Sequence, residues 1–304
     1  MSSSHVLSAP RPGVATWVLA ARPKTLAAAV VPVCLGTALA WGVGKGSALP
    51  ALAALAGAVF IQIGTNLAND YFDFKKGADT ADRLGPTRVT QAGLVAPSAV
   101  LAGAVAVFAA AFGVGVYLTA VAGWPIAIIG LLALASGWAY TGGPYPLGYH
   151  GLGDLWVFIF FGLVAVAGTY YAQALELTPL AVAAGVPPGA IATGLLAVNN
   201  LRDIETDARA GKRTLVVRFG MGAGRGEYAA LLALAYATPV AIWAAGWSGP
   251  WALLALWSLP AAIQPLRTVL RERGAPLNAA IGGTARLLAV YGALFSAGLF
   301  LGVR

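Results

Sequence analysis

The sequence predicts an all-α, polytopic membrane protein, a bundle of about nine transmembrane helices. Three observations carry that prediction. Of 304 residues, 59% are hydrophobic and only 10% are charged, whereas soluble domains are about a quarter charged. Mean hydropathy over the chain is +0.78. Apolar runs longer than about 18 residues recur from end to end, each long enough to cross a bilayer as a helix. They are continuous in Ala, Leu, Val and Gly, without the strand-period alternation of a membrane barrel.

Nine spans are expected, at about 23–44, 50–72, 97–118, 124–141, 154–173, 179–200, 228–246, 250–270 and 278–302. Met1 to Gly13 is short, polar and proline-containing. It lacks the charged-then-apolar layout of a signal peptide, so residues 1–16 are expected to form a short cytoplasmic tail. The first span holds the single Cys34, which excludes a disulfide within the chain. The second ends in the stretch Asn66 to Asp82, where four aspartates, two asparagines and two lysines fall within 17 residues. The fourth carries Tyr140 in its last turn with Tyr145 close behind; both suit an interfacial aromatic belt as well as a site. The fifth opens at Asp154, a carboxylate favourable to the dipole at a helix N-terminus. The sixth carries Pro187-Pro188, which predicts a kink, and ends in a second acidic stretch, Asn199 to Asp207. The ninth contains Arg286, about eight residues inside, expected to snorkel or to pair with a carboxylate. No soluble domain is inserted, so residues 1–304 read as one transmembrane domain.

Nine spans put the termini on opposite sides. With the N-terminus in the cytoplasm, 16 of 19 basic residues fall in cytoplasmic segments, leaving Lys45 and Arg304 outside and Arg286 within the last span. That bias predicts the orientation in the plasma membrane, and it brings both acidic stretches to the cytoplasmic face. The net charge of +8 follows from the same topology, because Lys and Arg lie between apolar runs and not along one solvated face. A nucleic-acid partner is therefore not expected; a lipid bilayer is.

The two stretches hold seven of the 11 acidic residues. Helical spacing puts Asn66, Asn69, Asp70 and Asp73 on one face, and Asn199, Asp203 and Asp207 on one face of the other. Crowded carboxylates repel unless a cation neutralises them. Hard oxygen donors without His or Cys point to Mg2+, which takes few carboxylates and completes its shell with phosphate oxygens and water. Lys75, Lys76 and Arg88 beside the first stretch, and Arg209, Lys212 and Arg213 beside the second, suit a diphosphate leaving group. Arg22, Lys24, Lys75 and Lys76 serve equally well as topology-setting charge.

The spacings Asn69 to Asp73 and Asp203 to Asp207 resemble the paired motifs of the UbiA superfamily of intramembrane aromatic prenyltransferases. Further strings resemble its menaquinone branch, the 1,4-dihydroxy-2-naphthoate polyprenyltransferases, over about residues 17–300. These are the strings beginning at Ala21 (ARPKTL), Asn66 (NLANDYFD), Tyr140 (YTGGP), Asn199 (NNLRDIETD) and Gly211 (GKRTL). One departure stands out: the superfamily's common form has a third Asp where this chain has Gly77, and Asp79 takes over. The resemblance implies that Asp73, Asp203 and Asp207, assisted by Asn69, Asn199, Asp70 and Asp79, hold Mg2+ on a polyprenyl diphosphate. It implies that Lys75, Arg209, Lys212 and Arg213 draw off diphosphate and that Tyr140 and Tyr145 face the allylic cation. Arg22 or Lys24 would bind the carboxylate of 1,4-dihydroxy-2-naphthoate, which is lost as CO2 to give demethylmenaquinone. Rival acceptors are 4-hydroxybenzoate and homogentisate. A secondary transporter is the reading from another class, opposed by the crowding of carboxylates at one face. A membrane phosphotransferase lacks its Asp-x-x-Asp-Gly-x-x-Ala-Arg signature here.

Overall fold

Hydrocarbon offers backbone groups no partner, so a chain that does not close a barrel crosses it as helices. The computed structural model describes residues 12–78 and 84–303, and these contain helices and no strand. A short helix α1 (Val14–Ala21) leads into α2 (Pro23–Gly42). There follow α3 (Ala48–Lys75), α4 (Pro97–Ala122), α5 (Trp124–Ala139), α6 (Gly153–Ala174) and α7 (Pro179–Arg202). Short α8 (Ile204–Arg209) precedes α9 (Leu215–Ala244), α10 (Pro250–Arg271) and α11 (Leu277–Gly302). Eight of these are long and apolar enough to cross a membrane, and α5, at 16 residues, is the shorter ninth. All nine expected spans are present, with shifted ends. The seventh begins at Leu215 and not near 228, because Thr214 caps its first turn through the Val217 N–H at 3.3 Å. Gly220, at φ 81°, then bends that turn into the apolar length of the helix.

Small residues bring the helices together. Closest neighbours are α3 with α4, α7 with α9, and α2 with α11, while the second half of α6 packs on α2. The innermost helix is α7, with 72% of its span buried against 17% for α4. Its approach to α6 depends on glycine: a Cβ on Gly162 would stand 2.5 Å from the Gly185 carbonyl oxygen, and one on Gly189 would stand 2.7 Å from that of Phe158. Such close backbone contact is how helices associate where lipid removes the hydrophobic drive. At this contact residues Ile159–Val164 widen into a π-helix, and Phe160 and Phe161 line the interior beside it. Buried tyrosines clamp α9 to α11: Tyr228 and Thr284 hydroxyls are 2.8 Å apart, and Tyr291 donates to the Ala235 carbonyl at 2.6 Å. At the opposite end from the acidic stretches, Lys45 pairs with Glu176 at 2.6 Å and Tyr170 donates to the same carboxylate at 2.7 Å. These two hydrogen bonds hold the Glu176 carboxyl below its usual range.

Candidate active site

Asp73, 2% exposed near the end of α3, is the centre of the site. Its carboxylate accepts from the Tyr149 hydroxyl at 2.8 Å and from the Arg88 guanidinium at 3.2 Å. Lys212 Nζ stands 3.7 Å from Asp73 and 3.6 Å from Asp207. One ammonium thus sits between a carboxylate of each acidic stretch. A tight turn carries it there, closed by the Lys212 N–H on the Asp207 carbonyl at 2.9 Å. Tyr149 lies beneath two lysines, with its ring centroid 4.6 Å from Lys76 Nζ and 5.0 Å from Lys212 Nζ, within cation–π range. Lys76 also donates to the Thr141 carbonyl at 2.6 Å. The Arg213 N–H donates to the Tyr149 carbonyl at 2.8 Å, joining this loop to the second stretch.

The second stretch kinks at one residue but keeps its helical hydrogen bonds: the Asp203 N–H donates to the Asn199 carbonyl at 3.0 Å and the Asp207 N–H to the Asp203 carbonyl at 2.8 Å. The chain leaves α7 after Arg202, Asp203 takes φ −99° and ψ 13°, and α8 starts anew. Arg202, 4% exposed, forks onto its own neighbour: Nε donates to Asp203 Oδ1 at 2.8 Å and Nη2 donates to Oδ2, while Nη1 reaches Asn278 at 2.8 Å. Beyond the spans, burial pushes the Asp207 carboxyl up; Lys212 opposes this and the Asp203 and Asp73 carboxylates add to it. Burial likewise lowers the Lys76 ammonium, against the attraction of Asp73 and with the repulsion of Lys212.

Several residues nominated by sequence lie elsewhere. Asp70, 1% exposed, spends both carboxylate oxygens on the Val89 and Thr90 N–H groups, each at 3.1 Å. It fastens the loop after α3 instead of facing the site, because the residue after Asn69 is rotated by about 100° around the helix. Asn66, by contrast, lines the cavity while donating to the Ala21 carbonyl at 2.9 Å and to Thr25 at 3.0 Å. Tyr145 is 58% exposed and stacks on His150 at 3.7 Å, outside the cavity wall. Lys75 and Lys24 are exposed without a hydrogen-bond or ion-pair partner among the described residues; Lys76, also exposed, is the lysine whose ammonium reaches Thr141 and the Tyr149 ring. The Arg209 and Arg213 side chains are exposed. Arg22 sits at the junction of α1 and α2 with φ 54° and reaches the Asn66 carbonyl at 3.4 Å. Asp79 lies outside the described residues. Sequence reasoning passed over Tyr149 and Arg202. For Tyr149 there was no signal, since the glycine- and proline-rich segment around it has no period. For Arg202 the signal was a guanidinium ending the most buried span beside an aspartate.

Behind the polar groups a cavity of about 590 Å³ extends among α2 to α7. Asn69, Asn199 and Tyr140 line its polar end, and Phe112, Leu134, Phe160 and Leu195 stand among its apolar walls. The Asn69 side-chain oxygen accepts from the Thr141 hydroxyl at 2.7 Å, and the Asn199 amide donates to the Leu195 carbonyl at 2.9 Å. Among the described residues no three His, Cys, Asp or Glu side chains are close enough to hold a metal ion together. The donor set still fits a hard divalent cation. Asp73 and Asp207 already converge on one cationic group, and the Asp203 and Asp73 carboxylates push the Asp207 carboxyl in the direction that an added cation relieves.

A profile of the UbiA prenyltransferase family matches residues 29–300. The chain is 43% identical over 261 residues to a 1,4-dihydroxy-2-naphthoate octaprenyltransferase of Mycobacterium tuberculosis (strain ATCC 25618 / H37Rv), covering 86% of this chain and 88% of that protein. To the octaprenyltransferase of that name in Bacillus subtilis (strain 168) it is 35% identical over 291 residues, covering 95% and 93%. Among solved structures, the apo form of a UbiA homolog from Aeropyrum pernix K1 superposes with a TM-score of 0.69 at 18% identity, covering 88% of this chain and 96% of that one. A UbiA homolog from Archaeoglobus fulgidus bound to GPP and Mg2+ superposes with a TM-score of 0.66 at 16% identity, covering 92% and 99%.

Proposed function

The chain belongs to the UbiA prenyltransferase family, and we propose that it transfers a polyprenyl group from an allylic diphosphate to 1,4-dihydroxy-2-naphthoate, releasing diphosphate and CO2 to give the hydroquinone form of demethylmenaquinone. One observation carries this reading: charged groups from both acidic stretches meet at one Lys212 ammonium, and Asn69 and Asn199 of the same stretches line an apolar cavity of about 590 Å³. A diphosphate belongs at the ammonium and a prenyl tail in the cavity. The naphthoate acceptor comes from the names of relatives that cover most of the chain.

Mg2+, when bound, neutralises the diphosphate and makes it a better leaving group. We assign it to Asp73, Asp203 and Asp207, with Asn69 and Asn199 as neutral oxygen donors. Arg202 holds Asp203 in a fixed fork, and Arg88 and Tyr149 hold Asp73, so the donors need little reorganisation. The allylic C–O bond breaks and its electron pair leaves with diphosphate, toward Lys212 and Lys76. Apolar walls exclude water from the allylic cation, and the Tyr140 ring in that wall offers its π-face. The new C–C bond forms at the ring carbon bearing the carboxylate; the pair from the C–CO2 bond returns to the ring and CO2 departs. Arg22, beside the polar end of α3, is the cation we assign to that carboxylate.

The excess of basic residues on one side supports a plasma-membrane protein with its N-terminus and site at the cytoplasmic face. A nanodisc assay with geranylgeranyl diphosphate, Mg2+ and a panel of aromatic acceptors tests the proposal. Decarboxylated, prenylated product is expected with 1,4-dihydroxy-2-naphthoate. Product only with 4-hydroxybenzoate or homogentisate would change the acceptor; solute flux without diphosphate release would contradict the reaction.

A further inference from the structure

Arg286 stands nine positions after Leu277, the first residue of α11, about 13 Å from the helix end. It is exposed on the outer surface and has no hydrogen-bond or ion-pair partner among the described residues. A lipid-facing guanidinium at that depth is strongly unfavourable unless something compensates it, and topology does not call for a charge so far inside.

Helical side chains lean toward their own N-terminus, so Arg286 leans back toward the membrane face that carries the candidate site. Its way is open: nothing lies within 4 Å of where a Cβ on Gly282 would stand, and Gly283 meets Gln264 and Pro265 of α10. That contact sets the register of two antiparallel helices. Arg271, at the end of α10, therefore lies level with the start of α11 and leans in the opposite sense. The two arginines lean toward each other along one groove. Gln264, Thr268 and Arg271 fall at i, i+4 and i+7 on its α10 wall, and Gly282 and Arg286 at i and i+4 on its α11 wall. Gln264 Nε2 donates to the Thr268 hydroxyl at 3.2 Å, and Arg267 adds a third exposed cation nearby. The one carboxylate near these cations in sequence, Glu272, forms no ion pair with them. Deeper along the same helices, Leu259 (47%), Ile263 (47%) and Val290 (38%) expose apolar surface.

We propose that this groove binds the phosphate headgroup of an anionic phospholipid in the leaflet next to the candidate site, with its acyl chains over the apolar surface beyond. The depth of Arg286 selects a lipid over a free anion, because only an amphiphile brings phosphate there with its tails already in hydrocarbon. The site is independent of the reaction and of its acceptor.

Native mass spectrometry of the full chain in detergent, with phosphatidylglycerol or phosphatidylcholine of matched chains, tests it. The wild type is expected to retain phosphatidylglycerol preferentially. Arg286→Leu and Arg271→Gln should each weaken that retention about five-fold and leave phosphatidylcholine unchanged. Arg271→Gln, at an exposed helix end, stands alone as the test if Arg286→Leu does not fold. Equal retention of both lipids by the wild type, or unchanged phosphatidylglycerol retention in the folded variants, would overturn the proposal. Displacement of the lipid by millimolar inorganic phosphate would also overturn it, in favour of a free-anion site.

Discussion

At the scale of single residues, the carboxylates of the site differ in how they are neutralised, and so in what their loss should do. Asp73 and Asp203 each face a buried guanidinium, whereas Asp207 faces only the Lys212 ammonium, with 13% and 18% of the two side chains exposed. Breaking a buried pair costs about 3–5 kcal/mol. Asp73→Asn and Asp203→Asn should therefore lose turnover and lower the melting temperature together. Asp207→Asn should lose about 10²–10³-fold in kcat with little change in melting temperature; near-normal turnover in that variant would remove Asp207 from the site. Tyr149→Phe deletes only the hydroxyl on Asp73 and should lower kcat/KM for the diphosphate by roughly ten-fold, the value of about one charged hydrogen bond. An unchanged kcat/KM would leave Tyr149 as packing alone. Asp70→Ala strands two buried N–H groups at about 1–3 kcal/mol each, so it should destabilise the protein while the folded fraction keeps its Mg2+ dependence. A Mg2+ requirement shifted without loss of stability would return Asp70 to the metal.

At the scale of elements, composition and apolar run length made all nine spans legible, because a bilayer tolerates little besides a long apolar helix. The two acidic helix ends were legible for the same reason, since seven of 11 acidic residues have no ordinary place there. Helical period served the second stretch better than the first. It grouped Asn199, Asp203 and Asp207, and i to i−4 hydrogen bonds link the three across the one-residue kink at Asp203. It also grouped Asp70 with Asn69 and Asp73, although loop N–H groups claim Asp70. Nor does spacing along the chain reveal that Tyr149, in an aperiodic segment, ends under Lys76 and Lys212. The α6–α7 contact can be tested by itself. Gly162→Ala drives a methyl group into the Gly185 carbonyl, and overpacking of this kind costs about 1–3 kcal/mol. A lower melting temperature with reduced activity is expected; an unchanged melting curve would mean that α6 and α7 have room to separate.

At the scale of the whole molecule, the bundle keeps its charge and its apolar volume adjacent but distinct. Residues far apart in the chain, Asp73 and Asp207, share one ammonium at one end, and the cavity among α2 to α7 extends away from them. That arrangement is what a substrate with a diphosphate head and a hydrocarbon tail requires. Its central claim is that the two acidic stretches form a single cation-dependent site. The most direct test is calorimetric binding of geranylgeranyl diphosphate to the protein in nanodiscs, with Mg2+ and with EDTA, for the wild type, Asp73→Asn and Asp207→Asn. Tight binding that needs Mg2+ and is lost in either variant is the expected result. Binding indifferent to EDTA, or lost in one variant and intact in the other, would contradict a shared site.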